Sequence, residues 1–144
     1  MIDMDSILFT VPGPPQGKAR ARTVRGKGGQ TFSYTPDKTV LYENLIKVSY
    51  LQVTKKLFNN KEAINVRITA CFEPAKSTSK KKRMQMLSGE IKPTKKPDID
   101  NIVKCILDGL NGVAYRDDTQ VVEVSAKKIY AEKAEVKVEI TVTE

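Results

Sequence analysis

Apolar and polar residues alternate most clearly from Ala63 to Phe72. There Ile64, Val66, Ile68, Ala70 and Phe72 interleave with Asn65, Arg67, Thr69 and Cys71. A period of two predicts a strand, stopped by Glu73-Pro74. A first strand is predicted over Ser6 to Val11, with Ile7, Phe9 and Val11 on one side, ended by Pro12-Gly13-Pro14-Pro15-Gln16-Gly17. Two last strands, Gln120 to Tyr130 and Ala134 to Thr143, follow one another across a short Ala131-Glu132-Lys133 turn. In the final one Val136, Val138, Ile140 and Val142 line one face and Glu135, Lys137, Glu139 and Thr141 the other, as in an antiparallel strand buried on one side.

Helical spacing appears three times. Thr35-Pro36-Asp37 predicts a helix start, with Thr35 as N-cap and Pro36 at the first helical position. Val40, Leu41, Leu45, Val48, Leu51 and Val53 then recur through about Lys55 and predict a core-packing helix, with Tyr42 and Tyr50 at core or boundary positions. Phe58-Asn59-Asn60-Lys61 reads as a turn. Ser77-Thr78-Ser79 can cap a short helix over Lys80 to Leu87 that stops at Gly89. Residues 99 to 110 carry an apolar stripe of Ile102, Val103, Ile106, Leu107 and Leu110, ended by Asn111-Gly112. The sum is an α+β fold over residues 1–144 as one domain: a mixed sheet of about four strands with helices packed on one side.

Charge changes the picture. The 144 residues carry a net charge of +8, and the pI is near 9.5, which favours an anionic partner. No apolar run is long enough to span a bilayer, and no basic amphipathic helix presents aromatics to a membrane surface. The acidic start, Met1-Ile2-Asp3-Met4-Asp5, does not read as a signal or transit peptide, so the expected localisation is cytoplasmic. Cys71 and Cys105 form no close motif and read as buried free thiols. Histidine is absent, which removes Ser-His and Cys-His nucleophile systems and most zinc sites. Catalysis, if present, runs on carboxylates, lysines, hydroxyls and a hard metal.

Basic residues fall in three clusters. Lys18, Arg20, Arg22, Arg25 and Lys27 occupy a stretch with no acid, which Gly26, Gly28 and Gly29 keep loose. It reads either as a solvated loop or as an arm contacting phosphates. Gly13 to Lys18 is one residue too short for a phosphate-cradling loop, and Ala19 stands where a Ser or Thr would bind magnesium. Lys81, Lys82 and Arg83 continue a basic run from Lys80, and Lys92, Lys95 and Lys96 form a third group. Lys18, Arg20, Arg22, Arg25, Lys81, Lys82, Arg83, Lys95 and Lys96 are the candidate nucleic-acid contacts.

The acids also pair. Asp98 and Asp100 open the helix predicted over 99 to 110, on which Asp100, Lys104 and Asp108 follow at steps of four. Asp117-Asp118 follows the next turn. Each pair, seen alone, can be a cap or a turn. Together, flanking one helix, they can hold a hard divalent cation, because close carboxylates repel unless a cation neutralises them. Lys104 is placed either for an i,i+4 salt bridge or to stabilise charge on a phosphate.

At these residues the chain resembles the RusA family of Holliday-junction resolvases. The matching segments are Lys96-Pro97-Asp98-Ile99-Asp100-Asn101, Lys104, Asp108-Gly109-Leu110-Asn111-Gly112 and Asp117-Asp118-Thr119-Gln120-Val121. Pro12-Gly13-Pro14-Pro15, Lys18 to Arg22 and Tyr34-Thr35-Pro36 resemble the branch common in prophages. The resemblance implies a homodimeric endonuclease that needs Mg²⁺ or Mn²⁺ and resolves branched DNA in recombination and repair. It implies essential acids at Asp98, Asp100 and Asp118, an essential lysine at Lys104, and supporting roles for Asp117 and Asn101. Two other readings stay open: a nucleic-acid-binding module whose acids are structural, and a metal-dependent hydrolase of small phosphorylated substrates.

Overall fold

The computed structural model describes residues 6–19, 22–34 and 36–143. The strands are β1 (Ile7–Pro12), β2 (Arg22–Arg25), β3 (Thr31–Tyr34), β4 (Ile64–Phe72), β5 (Val121–Tyr130) and β6 (Glu135–Val142). The helices are α1 (Asp37–Val53), α2 (Lys80–Leu87) and α3 (Ile99–Leu110), with a 3₁₀ turn at Asp118–Gln120. Four strands form one mixed sheet in the order β1-β6-β4-β5, and β2 pairs with β3 alone. β6 runs antiparallel to both neighbours, while β4 and β5 are parallel. The sheet therefore agrees with the α+β expectation.

The two last strands are not a hairpin, because β4 lies between them. Their connection passes the end of β4, where the Ala131 amide donates to the Phe72 carbonyl at 2.9 Å. The inward residues of β1, β4 and β6 are those that the alternation marks. Ile7, Phe9, Val11, Ile64, Val66, Ile68, Ala70, Val136, Val138 and Ile140 are all buried.

The helix α1 turns a different side inward than its aliphatic residues suggest. Thr39, Tyr42, Ile46, Ser49 and Tyr50 are buried, whereas Leu41 is 69% exposed and Val40, Val48, Leu51 and Val53 are also exposed. Leu45 is partly buried against the core. Apolar residues ring this helix, so periodicity alone does not choose a face. The choice is made by size and fit. Tyr50 meets Phe9 edge to face at 5.5 Å, and its hydroxyl donates to the Lys56 carbonyl. Ile46 packs on Gly109 of α3 so closely that an added Cβ there would lie 2.9 Å from three of its carbons. The N-cap of α1 is Pro36, so this residue sits one position earlier than expected. Thr35, the expected cap, lies outside the described residues.

The stretch read as a loose basic loop contains a two-stranded ribbon. β2 pairs antiparallel with β3 from Arg22 opposite Tyr34 to Arg25 opposite Thr31. Gly28 and Gly29 make its turn with positive φ, a conformation that costs glycine little. α2 is capped as its sequence predicts: the Ser79 side chain accepts from the Lys82 amide. No helix among the described residues is long and apolar enough to cross a membrane.

Candidate nuclease site

The site is built around α3. Its buried stripe of Ile102, Cys105, Ile106, Gly109 and Leu110 fixes its rotation against the sheet and α1. The opposite stripe carries Asp100, Lys104 and Asp108 outward. Asp98 is the N-cap residue, with extended backbone, yet its side chain makes no capping hydrogen bond. Asp100 stands in the first turn, where the helix dipole favours negative charge. The capping alternative therefore leaves the Asp98 carboxylate uncommitted. The i,i+4 salt-bridge alternative for Lys104 is not realised either: no ion pair joins it to Asp100 or Asp108.

The lead-in to α3 is held from two sides. Lys128 on β5 donates to the Lys95 carbonyl and, at 3.0 Å, to the Pro97 carbonyl. The Lys95 ammonium lies over the rings of Phe72 and Tyr130. From the other side, the Lys18 amide donates to the Asn101 carbonyl at 2.9 Å. Gly17 passes so near that an added Cβ would stand 2.9 Å from Asn101 Cβ and 3.0 Å from Pro97 Cβ. The Lys96–Pro97 bond is cis.

Asp117 and Asp118 form the second acid pair, at the start of β5. Asp117 caps the 3₁₀ turn through the Thr119 amide. Gln120 organises the turn from below. Its Oε1 accepts from the Arg116 amide at 3.0 Å and the Asp117 amide at 3.3 Å. Its Nε2 donates to the carbonyls of Asn59 and Glu62 at 2.8 and 3.3 Å. The two carboxyls share a hydrogen bond, which holds Asp117 below the ordinary aspartate pKa. The same bond raises Asp118, with smaller contributions from desolvation and from the charges of Asp117 and Asp108. Close carboxylates push their pKa values apart in this way, and a cation between them would relieve the repulsion.

The two pairs stand at opposite ends of α3. Its 12 residues span about 18 Å. Asp98 and Asp100 sit at the end near Lys128, and Asp118 sits at the end near Asp108. Among the described residues no group of three or more acids, cysteines or histidines is close enough to hold one metal ion. One copy thus does not gather Asp98, Asp100 and Asp118 around a single ion.

Among the basic residues, Arg22 and Arg25 lie on the exposed ribbon, and Lys81 and Lys82 are exposed on α2 with Arg83 partly covered. Arg20 lies outside the described residues. Arg22, Lys38 and Lys96 line a cleft of about 480 Å³ that reaches Asp98 and Asn101. A larger hollow of about 610 Å³ lies on the bare face of the sheet and touches none of these residues. Lys18 points inward, to Glu43 at 3.0 Å and Asp108 at 3.2 Å. The sequence did not single out Glu43, Gln120 or Lys128, because each acts through a contact far along the chain. The buried Cys105 thiol is pushed up to about 12, chiefly by desolvation, which keeps it unreactive.

The chain is 33% identical over 139 residues to a Bacillus subtilis (strain 168) protein named "Uncharacterized protein YqaN", covering 95% of this chain and 96% of that one. Residues 12–141 match the family described as "Endodeoxyribonuclease RusA". That match runs from the end of β1 through both acid pairs and into β6, so the chain belongs to the RusA family of endodeoxyribonucleases.

Proposed function

We propose that this protein is a metal-dependent, structure-selective endodeoxyribonuclease that resolves four-way and other branched DNA during recombination and repair. The observation that carries the reading is the charge pattern on α3. Uncommitted carboxylates, an unpaired Lys104 and a second acid pair of mutually perturbed pKa lie on one exposed stripe and its two ends.

The donor set fits a hard cation. Asp98, Asp100 and Asp118 offer only carboxylate oxygens, the choice of Mg²⁺ or Mn²⁺. The chemistry such a cation supplies when bound is activation of water and polarisation of a phosphoryl oxygen. Lys104 meets the negative charge that builds on the phosphate. Asp117 tunes its neighbour, and Asn101 lines the cleft beside Asp98. The ribbon arginines and the lysines of α2 and of the α3 lead-in contact backbone phosphates.

The separation of the acids along α3 supports a dimeric site. A two-fold axis can set Asp118 of the partner subunit against Asp98 and Asp100, and it suits symmetric cutting of a near-symmetric junction. Val122 and Val124, exposed on β5 just after Asp118, offer apolar area beside that loop.

The test is incubation with a four-way junction, a linear duplex and a free nucleotide, each with and without Mg²⁺. The expected outcome is paired cuts in the junction only, with the metal. Asp100→Asn should abolish cutting by at least about a hundredfold and leave junction binding intact. Full activity in that variant refutes the assignment. Binding without any cutting supports the structural-acid reading, and nucleotide hydrolysis supports the small-substrate one.

A further inference from the structure

Lys18 belongs by sequence to the basic arm, yet its ammonium is turned away from solvent. Its side chain is 20% exposed, between Glu43 of α1 at 3.0 Å and Asp108 of α3 at 3.2 Å. Their side chains are 16% and 28% exposed. The neighbouring backbone is anchored too. The Lys18 amide bonds to Asn101, and the Ala19 amide to Thr39 Oγ1 at 3.3 Å. Burial alone lowers the Lys18 pKa, but the bonds and charges of Glu43 and Asp108 together outweigh it and hold it above the ordinary lysine value. Lys18 is a permanent cation in a three-charge cluster, unsuited to leaving for a phosphate.

The place of Asp108 gives this cluster its meaning. Lys104 lies one helical turn from both Asp100 and Asp108. A lysine so placed has a ready partner four residues on, yet no ion pair forms between Lys104 and Asp108. Asp108 already has its counter-charge from Lys18. We propose that Lys18 is a positioning residue: by holding Asp108, and by tying residues 17–19 to α1 and α3, it keeps Asp108 from drawing Lys104 away from substrate. Its kinetic consequence rests on the nuclease reading above.

The kinetic test compares Lys18→Met, Asp108→Asn and the double variant on a four-way junction. In Lys18→Met, Lys104 turns to Asp108, and the turnover rate at saturating junction falls about tenfold or more. Junction affinity and its salt dependence stay as in the wild type. The double variant regains most of the lost rate, because Asp108 no longer competes for Lys104. The proposal is overturned if Lys18→Met instead weakens binding, reduces the salt slope by about one and leaves the saturated rate unchanged. It is also overturned if the double variant is no faster than the single one.

A crystal structure of Lys18→Met decides the point without activity: Lys104 Nζ should stand within about 4 Å of the Asp108 carboxylate. Should Glu43, left without its cation, prevent folding, Lys18→Met/Glu43→Gln asks the same question. If the wild type cuts no DNA, the nuclease reading fails while the crystal structure still judges the ion cluster.

Discussion

Gln120 is the side chain on which the Asp117–Asp118 turn hangs. Its amide makes two hydrogen bonds near or below 3.0 Å and two at 3.3 Å, to four backbone groups from two separate loops. The residue is only 9% exposed, so truncation leaves these groups without an equivalent partner. Taking about 1 kcal/mol for each short bond and half that for each long one, Gln120→Ala should cost about 3 kcal/mol. With a urea m value of about 1.5 kcal/mol/M, the unfolding midpoint should fall by about 2 M at unchanged m. Gln120→Glu keeps the shape and the acceptor but loses both donors. It faces the Asn59 and Glu62 carbonyls with a carboxylate, and should be at least as damaging. A midpoint shift below about 0.3 M for Gln120→Ala would show that water replaces the amide and that the turn stands without it.

Other outcomes follow from the same geometry. Gly109→Ala drives a methyl into Ile46 at the α1–α3 crossing, and should lower stability by about 1–3 kcal/mol in thermal or urea unfolding. The Asp117 bond holds the Asp118 pKa up, so acidification should protonate Asp118 above the ordinary aspartate range. The acid limb of the pH–rate profile reads this, and Asp117→Asn should move that limb to lower pH. An unmoved limb would mean that Asp118 does not control it.

β1, β4 and β6 were legible because each buries alternate residues, and a period of two records that directly. α3 was legible to its end residues for a similar reason: Ile102, Ile106 and Leu110 make one stripe and the charges another. α1 was not, because Val40, Leu41, Val48 and Leu51 are as apolar as the side that packs, and the docking of Ile46 on Gly109 depends on residues some sixty positions apart. The β2–β3 ribbon was hidden by its own arginines, which drew attention to charge rather than to the Thr-Val and Thr-Phe-Ser-Tyr segments around a glycine turn. The acids could be named from their spacing, but spacing says nothing of which end of a helix a later loop returns to. Nor does it show that one lysine of a basic arm faces inward to two carboxylates.

β1 has a single neighbour in the sheet: Ile7 lies opposite Ile140, and Val11 opposite Val136. β1 therefore gains its strand partner only once β6 is in place. Until β6 arrives, Phe9 and Val11 lack the wall that shields them, and closing so long a loop is slow. The nascent chain would carry its arginine ribbon and its α3 acids without a finished scaffold beneath them, so cutting power should appear only after synthesis has passed β6. Loss of β6 would leave β1 with no strand beside it and β4 with β5 alone, and should abolish folding rather than trim it.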